Sequence, residues 1–497
     1  VIAHLGIILP KMDLEQDEDD QIASLEGAFN AIAAKHLLLT QPKHGTPDIF
    51  DATTGQILRG GLVAAARKLE MEYFSSMRVY DKVPRNEAFE KTGKGPISTK
   101  WVDVNKGDDE PPNYRSRLVA REIRRKGENP IFAPTPPLES LRTILSMAAT
   151  PDLWMTKAEL AISEGEDRVQ ISVIDISRAY FNAKPKDAHP VYVELPPEDP
   201  DYGKGLCGKL NVFMYGTRAA ADGWHCEYSD TMEEIGFAMG QSSACVFAHG
   251  ERKIVSSVHG DDFTTVGTKR DLDWFKAQLA IKYELKETRI GPGAKDEKEV
   301  KILNRIIRWT TDGLEYEADP RHAEKLLQEL GLEGCRPVGT PGVKPSPEAI
   351  SSDEPLEISK MTHFRALAAR GNYLAADRPD IQFSAKEICR FMAAPTKLSV
   401  EALKRLGRFL AKRPRLVYIY KLQKNIQHVD VYVDTDHAGC LRTRKSTSGG
   451  CVMLGSHTLK TWSSTQPTIT LSSGEAELGG VVRGSAVGLG FLSLLSD

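Results

Sequence analysis

Residues 169–179 read VQISVIDISRA, and residues 253–266 read KIVSSVHGDDFTTV. In the first stretch Val169, Ile171 and Val173 alternate with polar residues before Ile174 breaks the pattern. That predicts a strand buried on both faces near its end. Asp175 falls where this strand should stop, and a lone carboxylate buried there needs a cation or hydrogen-bond donors. In the second stretch two apolar runs flank His259-Gly-Asp-Asp262. Gly260 supplies turn freedom, so the two acids fall at or beside the tip of a hairpin. Taken alone this hairpin reads first as a solvated turn, because Asp and Gly are the commonest turn residues. A second acidic pair, Asp108-Asp109, reads as plain loop.

Working outward, the 497 residues allow three or four domains. Apolar residues make up 41% and charged residues 27%, as in ordinary globular proteins. The net charge of −3 argues against a simple basic nucleic-acid binder, so such contacts must come from local patches. No stretch reads as long and apolar enough to span a membrane, and the chain, starting at Val1, reads as a fragment of a longer product. The seven cysteines show no CxxC pair and read as free thiols. Residues 13–20 hold six acids and no base, the pattern of a solvated linker. Helical spacing follows at Ile22, Leu25, Phe29, Ile32 and His36, and again at Leu62, Ala66, Leu69, Tyr73 and Met77. No chemistry is visible in residues 1–75. From about 79 to 330 short strands alternate with helices, Arg336–Ser352 reads as a linker, and helices fill roughly 355–415.

A strand-end Asp followed far along the chain by a hairpin-borne Asp pair is what two-metal nucleotidyl transfer requires. Mg2+ favours a few carboxylates plus substrate phosphates over a full protein cage. Here the residues resemble a known family. Asp175-Ile-Ser-Arg-Ala-Tyr180-Phe is similar to the first polymerase motif of reverse transcriptases, and Val191–Pro197 to the segment after it in copia-type retrotransposons. Met214-Tyr-Gly-Thr-Arg218 and Trp224 resemble the next motif, and His259-Gly-Asp-Asp262 stands where the family has Tyr-Val-Asp-Asp. Tyr114–Arg121 and Phe132-Ala-Pro134 resemble the fingers segment, Tyr373-Leu-Ala and Arg378–Ile381 the stretch after the polymerase core. The likeness covers roughly residues 80–497. It implies that Asp175, Asp261 and Asp262 hold two Mg2+ ions. It also implies that Tyr180 is an aromatic gate under the incoming sugar, reading the absence of a 2′-hydroxyl. Two departures stand out: His259 replaces the usual Tyr, and Ala219–Ala221 replace Gln-Ala-Pro.

Residues 115–126 set Arg115, Arg117, Arg121, Arg124, Arg125 and Lys126 against Glu122. By resemblance this is the fingers hairpin that closes on the triphosphate; Arg117 is the first choice for that role, then Arg115 and Arg121. A solvated strand edge is the plain alternative. Arg218, in the next motif, joins these as a substrate-binding candidate. Residues 400–413 form an amphipathic pattern with Leu403, Leu406 and Leu410 inward and a basic outer face, readable as a phosphate-tracking surface or a solvated helix. Toward the end Val431 and Val433 alternate up to Asp434, Gly450–Leu454 and Leu459–Ser463 read as strands, and Ser472 with Glu475 fits a capping box. Lys445–Gly449, Trp462, Gln466-Pro467 and Ser472–Glu477 resemble copia-type ribonuclease H, which implies catalytic roles for Asp434 and Glu477. The family's further acids lie beyond residue 497, so no ribonuclease H activity is expected.

The resulting expectation is an α+β fold: a right-hand polymerase palm, fingers and thumb followed by a partial ribonuclease H-like domain. Its divisions are residues 1–78 as a linker or helical adaptor, 79–335 as fingers and palm, 336–425 as thumb and connection helices, and 426–497 as the truncated ribonuclease H-like part. The implied activity is RNA-directed DNA polymerisation with two Mg2+ ions, an RNA template, a DNA primer and dNTPs, with no membrane. The implied setting is a cytoplasmic virus-like particle or the nucleus, with a dimer or other Pol domains as company. Two alternatives stay open: a decayed copy that binds nucleic acid without chemistry, and a host interaction protein built on residues 1–75.

Overall fold

The computed structural model describes residues 49–107, 112–123, 133–154, 167–185, 189–424 and 426–497. The acidic run at 13–20, the helical spacing at 22–36, Asp108-Asp109, Arg124–Lys126 and Phe132 lie outside the described residues. The chain divides into two units, 1–63 with 103–114, and 64–102 with 115–497. In the smaller, the strands Ile49–Phe50 and Ile57–Leu58 pair antiparallel. There the Asp51 carboxylate accepts the N–H groups of Thr53, Thr54 and Asn105, at 2.7, 2.8 and 2.6 Å.

The larger unit is built around a six-stranded antiparallel sheet. Its order is Leu285–Ile290, Val169–Ile176, Asp262–Thr268, Ile254–His259, Val246–His249 and Ala238–Met239. Both faces of its inner strands are covered, as the apolar run at 169–174 predicts. Ile174 and Ile176 enter one core with Trp224, Phe263, Phe275 and Leu279 from the helices Ala220–Glu234 and Lys269–Lys282 and the adjacent strand. Val169 and Ile171 enter the other, with Ile144, Leu145, Trp309 and Tyr316. Asp175 continues the face of Val169, Ile171 and Val173 but stands exposed past the end of that core.

The second core also holds a four-stranded antiparallel sheet, Glu299–Ile302, Arg305–Thr310, Gly313–Glu317 and Val417–Lys421. The strand Val417–Lys421 lies inside the stretch read as thumb and connection helices. Alternate residues carry it: Tyr420 is fully buried, while Ile419 is exposed. The helices Arg321–Glu329, Ile358–Ala375, Pro379–Cys389 and Lys397–Lys412 share a separate core. The segment read as a linker at 336–352 contains a short helix, Pro347–Ser351, whose first turn is capped by the Ser346 hydroxyl.

Residues 64–78 differ from the expected adaptor. The helix Gly60–Ser76 buries Phe74 against Phe181, Leu118, Val193 and Met214. The buried face of this helix is Val63, Glu70 and Phe74, whereas Leu62 and Leu69 of the stripe read from the sequence are exposed.

At the C-terminal end Asp430–Thr435, Thr447–Leu454 and His457–Thr465 form a three-stranded antiparallel sheet, followed by the helix Ser473–Ser496. One expectation is corrected here. This helix has 24 residues and contains an 18-residue window of mean hydropathy 1.6, long and apolar enough by length and composition to cross a membrane. Glycines and serines break up its apolar runs, so no single run stands out in the sequence. Its glycine face packs on the sheet: a Cβ on Gly480 would stand 2.3 Å from Thr435 Oγ1, and one on Gly484 2.4 Å from Val433 Cγ1. Leu478, Val482 and Leu489 remain exposed.

Candidate active site

The hairpin tip is held from two sides. Gly260 adopts φ +65°, a left-handed conformation suited to glycine. Its carbonyl accepts the Trp224 Nε1–H at 2.8 Å, and the Asp261 carbonyl accepts the Ile176 N–H at 3.0 Å. Trp224 is 1% exposed and packs edge-on against Tyr228 and Tyr283, so it is a rigid anchor. His259 faces Asp262 across the hairpin, and Asp262 faces Asp175 across the next strand pair.

This register brings three carboxylates together. One ligand oxygen from each of Asp175, Asp261 and Asp262 lies within 4.8 Å of the others. Among the described residues it is the one group of three or more acids, cysteines or histidines so placed. Burial, then the charges of Asp261 and Asp175, push the Asp262 carboxyl up to about 6. Asp175 is also raised, by burial and by Asp261, against the opposing pull of Arg115, Lys286 and Arg117. Mutually repelling carboxylates that no side chain bridges among the described residues suit a divalent cation.

Tyr180 stands beside this group on the short turn Ala179–Asn182. Burial raises its phenol, Asp261 adds to the rise, and Arg117 opposes it. Its ring meets that of Tyr215 edge-on at 5.0 Å, and the Arg117 guanidinium covers the Tyr215 ring at 4.5 Å. Arg115 and Arg117 share one face of their strand, opposite buried Ser116, Leu118 and Ala120. Their charges oppose the rise at Asp175. Arg121 lies exposed past the strand end, where its N–H donates to the Ser98 carbonyl at 2.8 Å. Arg218 is half-buried, and its N–H donates to Glu122 Oε2 at 2.8 Å. Between them Gly216, at φ +82°, lies so close to the strand that a Cβ would stand 2.0 Å from the Ala120 carbonyl oxygen. Ala219 leads into the helix Ala220–Glu234 with no side-chain cap.

Asp434 and Glu477 are both exposed. Asp434 lies on the strand face opposite Val433 and Thr435, the residues on which the helix carrying Glu477 packs. Among the described residues they do not form part of a three-acid group.

Sequence reasoning missed three residues. Lys286 stands opposite Asp175 on the neighbouring strand. Glu70 and Tyr73, from the helix Gly60–Ser76, surround the Arg178 guanidinium. No local pattern marks Lys286 or Glu70, and the helical spacing that includes Tyr73 gives no sign of its place here, since each arrives through tertiary pairing.

Residues 89–344 match the family described as reverse transcriptase (RNA-dependent DNA polymerase). The chain is 26% identical over 403 residues to the retrovirus-related Pol polyprotein from transposon TNT 1-94 of Nicotiana tabacum, covering 78% of this chain and 28% of that one. It is 27% identical over 409 residues to the Pol polyprotein from transposon RE1 of Arabidopsis thaliana, covering 81% of this chain and 26% of that one. An uncharacterized mitochondrial protein of Arabidopsis thaliana is 32% identical over 177 residues, 35% of this chain and 71% of that protein. The chain thus spans only 28% and 26% of the two Pol polyproteins. The chain belongs to the reverse transcriptase family, and within it to the copia-type retrotransposon Pol polyproteins.

Proposed function

We propose that the chain is an RNA-directed DNA polymerase that adds deoxynucleotides to a primer 3′-hydroxyl on an RNA or DNA template. The observation that carries this reading is the convergence of Asp175, Asp261 and Asp262 within 4.8 Å, with no ion pair to any of the three among the described residues. These carboxylates would hold two Mg2+ ions, which when bound lower the cost of forming the attacking alkoxide and of releasing pyrophosphate. The chain's own residues bind and orient. Arg115 and Arg117 present donors for triphosphate oxygens from the face beside Asp175. Tyr180, braced by Tyr215, fills the space beneath the sugar and excludes a 2′-hydroxyl. Trp224 fixes the hairpin that carries Asp261.

On this reading the six-stranded sheet is the palm, the elements before it the fingers, and the helical core the thumb and connection. The final sheet and helix are a partial ribonuclease H-like domain, in which the family resemblance alone assigns catalytic roles to Asp434 and Glu477. Template, primer and dNTPs are the partners, and a cytoplasmic virus-like particle or the nucleus is the setting. A second reading, a copy that binds nucleic acid without chemistry, draws on His259 beside Asp262 and on the uncapped helix start at Ala219.

Primer extension on an RNA template with Mg2+ and dNTPs tests the choice. The native chain should extend, and Asp261→Asn should lose about 10,000-fold, roughly 5 kcal/mol of barrier. Binding of primer–template by both proteins with extension by neither supports the second reading.

A further inference from the structure

Between Asp175 and Tyr180 the chain passes through Arg178, which adopts φ +51° and ψ +48°. That left-handed conformation is uncommon for a residue with a Cβ, and it persists only where the surroundings over-determine it. Here one helix does so at three points. Glu70 Oε2 lies 3.4 Å from Arg178 Nη2. Tyr73, one turn further along, places its ring centroid 3.3 Å from the guanidinium carbon. Phe74 meets Phe181 edge-on at 5.1 Å. The Arg178 carbonyl then accepts the Phe181 N–H at 2.8 Å, closing the turn that presents Tyr180.

Glu70 is 5% exposed, a buried carboxylate on a helix with no other site role. Its Oε1, the Arg178 Nε and the Tyr215 hydroxyl are buried without hydrogen-bond partners among the described residues. Burial raises the Glu70 carboxyl, and the charges of Arg178, Arg117 and Arg115 oppose the rise. A carboxylate serving packing alone would be better replaced by an apolar residue.

We propose that Glu70 is a positioning residue for nucleotide selection: by holding Arg178 it fixes the turn that sets Tyr180, and so sets discrimination between deoxy- and ribonucleotides. This rests on the polymerase reading above. Glu70 acts through Arg178 and touches no reacting atom.

The test compares the native chain with Glu70→Gln in single-nucleotide incorporation on an RNA template, taking kcat/KM for a dNTP and for the matching rNTP. The ratio of the two is independent of how much protein is folded. It should fall about tenfold, chiefly through the rNTP becoming a better substrate. A ratio within about twofold of native overturns the proposal and leaves Glu70 a packing residue. Should Glu70→Gln fail to fold, Tyr73→Leu removes the other half of the grip and should move the ratio the same way. Absence of incorporation by the native chain instead counts against the polymerase reading. The positioning role is then decided by amide hydrogen exchange. Residues 176–181 should exchange about tenfold faster in Glu70→Gln while 263–268 stay unchanged. Equal exchange in both proteins overturns it.

Discussion

Two clusters of acidic chemistry lie in the same unit and are built in opposite ways. Around Asp377, a 2% exposed residue, a single carboxylate accepts from Arg142 Nη2 and Arg305 Nε, each at 3.0 Å, and from the Tyr316 hydroxyl. Arg142 also donates to the carbonyls of Ala376 and Leu459, at 2.8 and 3.3 Å. Two cations serve one anion, and the guanidinium ties three elements together. At the hairpin the balance is inverted: three carboxylates crowd one another, while Arg115, Arg117 and Lys286 act on Asp175 only from a distance. The first cluster pairs its charges internally, with the Arg142 Nε left without a hydrogen-bond partner among the described residues. The second keeps an electrostatic deficit that folding alone does not satisfy, as a site prepared for a cation from outside should.

The contrast can be broken most forcefully at Asp377. Replacing it with Ala leaves Arg142 and Arg305 buried without their shared anion, and should cost about 3–5 kcal/mol in denaturant unfolding. A loss below roughly 1 kcal/mol would mean that the cluster is not the tie described here.

A smaller effect comes from pH. The folded protein holds a proton on Asp262 up to about 6, against an ordinary carboxyl value of 3.8. The folded state therefore binds more protons than the unfolded chain between those values. The contribution of Asp262 to metal-free stability should be fully present below the lower value and be lost as pH rises through the upper one. Mg2+ should reverse this, so its effect on the melting temperature should be clearly larger at about pH 7.5 than at about pH 5. Thermal melts with and without Mg2+ check it, and a shift independent of pH contradicts it.

The smallest effect concerns the metal-free site alone. Asp262→Asn keeps the shape and removes one of three like charges, so at neutral pH it should stabilise the metal-free protein by about 1 kcal/mol. The same change should abolish the gain from Mg2+. Destabilisation in the absence of metal would indicate that Asp262 has a structural partner.

The two clusters also differ in how well the sequence foretells them. Asp175, Asp261 and Asp262 were legible because each sits on a local signal, a strand end or a Gly-containing turn between apolar runs. Tyr180, Arg115 and Arg117 were named only through the resemblance to the family's motifs. Asp377 carries no such signal, since its partners lie 235, 72 and 61 residues away and meet it only when helices and sheets pack. Glu70 was hidden for the same reason: a charged residue on an amphipathic helix reads as solvated until a neighbouring turn covers it. Val417–Lys421 was absorbed into a helical region because five residues are too few to show a period. The membrane-length helix at 473–496 escaped notice because glycine and serine dilute its apolar runs, while the same glycines let it lie close on the sheet.

The pairing of Asp262 with Asp175 also bears on how such a gene loses its activity. Because side chains alternate along a strand, inserting or deleting one codon within 169–175 or 262–268 would turn one acid to the opposite face. The reading frame would survive, and much of the apolar pattern could be re-paired, yet the carboxylates would no longer meet. The chemistry therefore depends on counting residues as much as on their identity. A copy could fall silent through a single in-frame insertion with every aspartate still present.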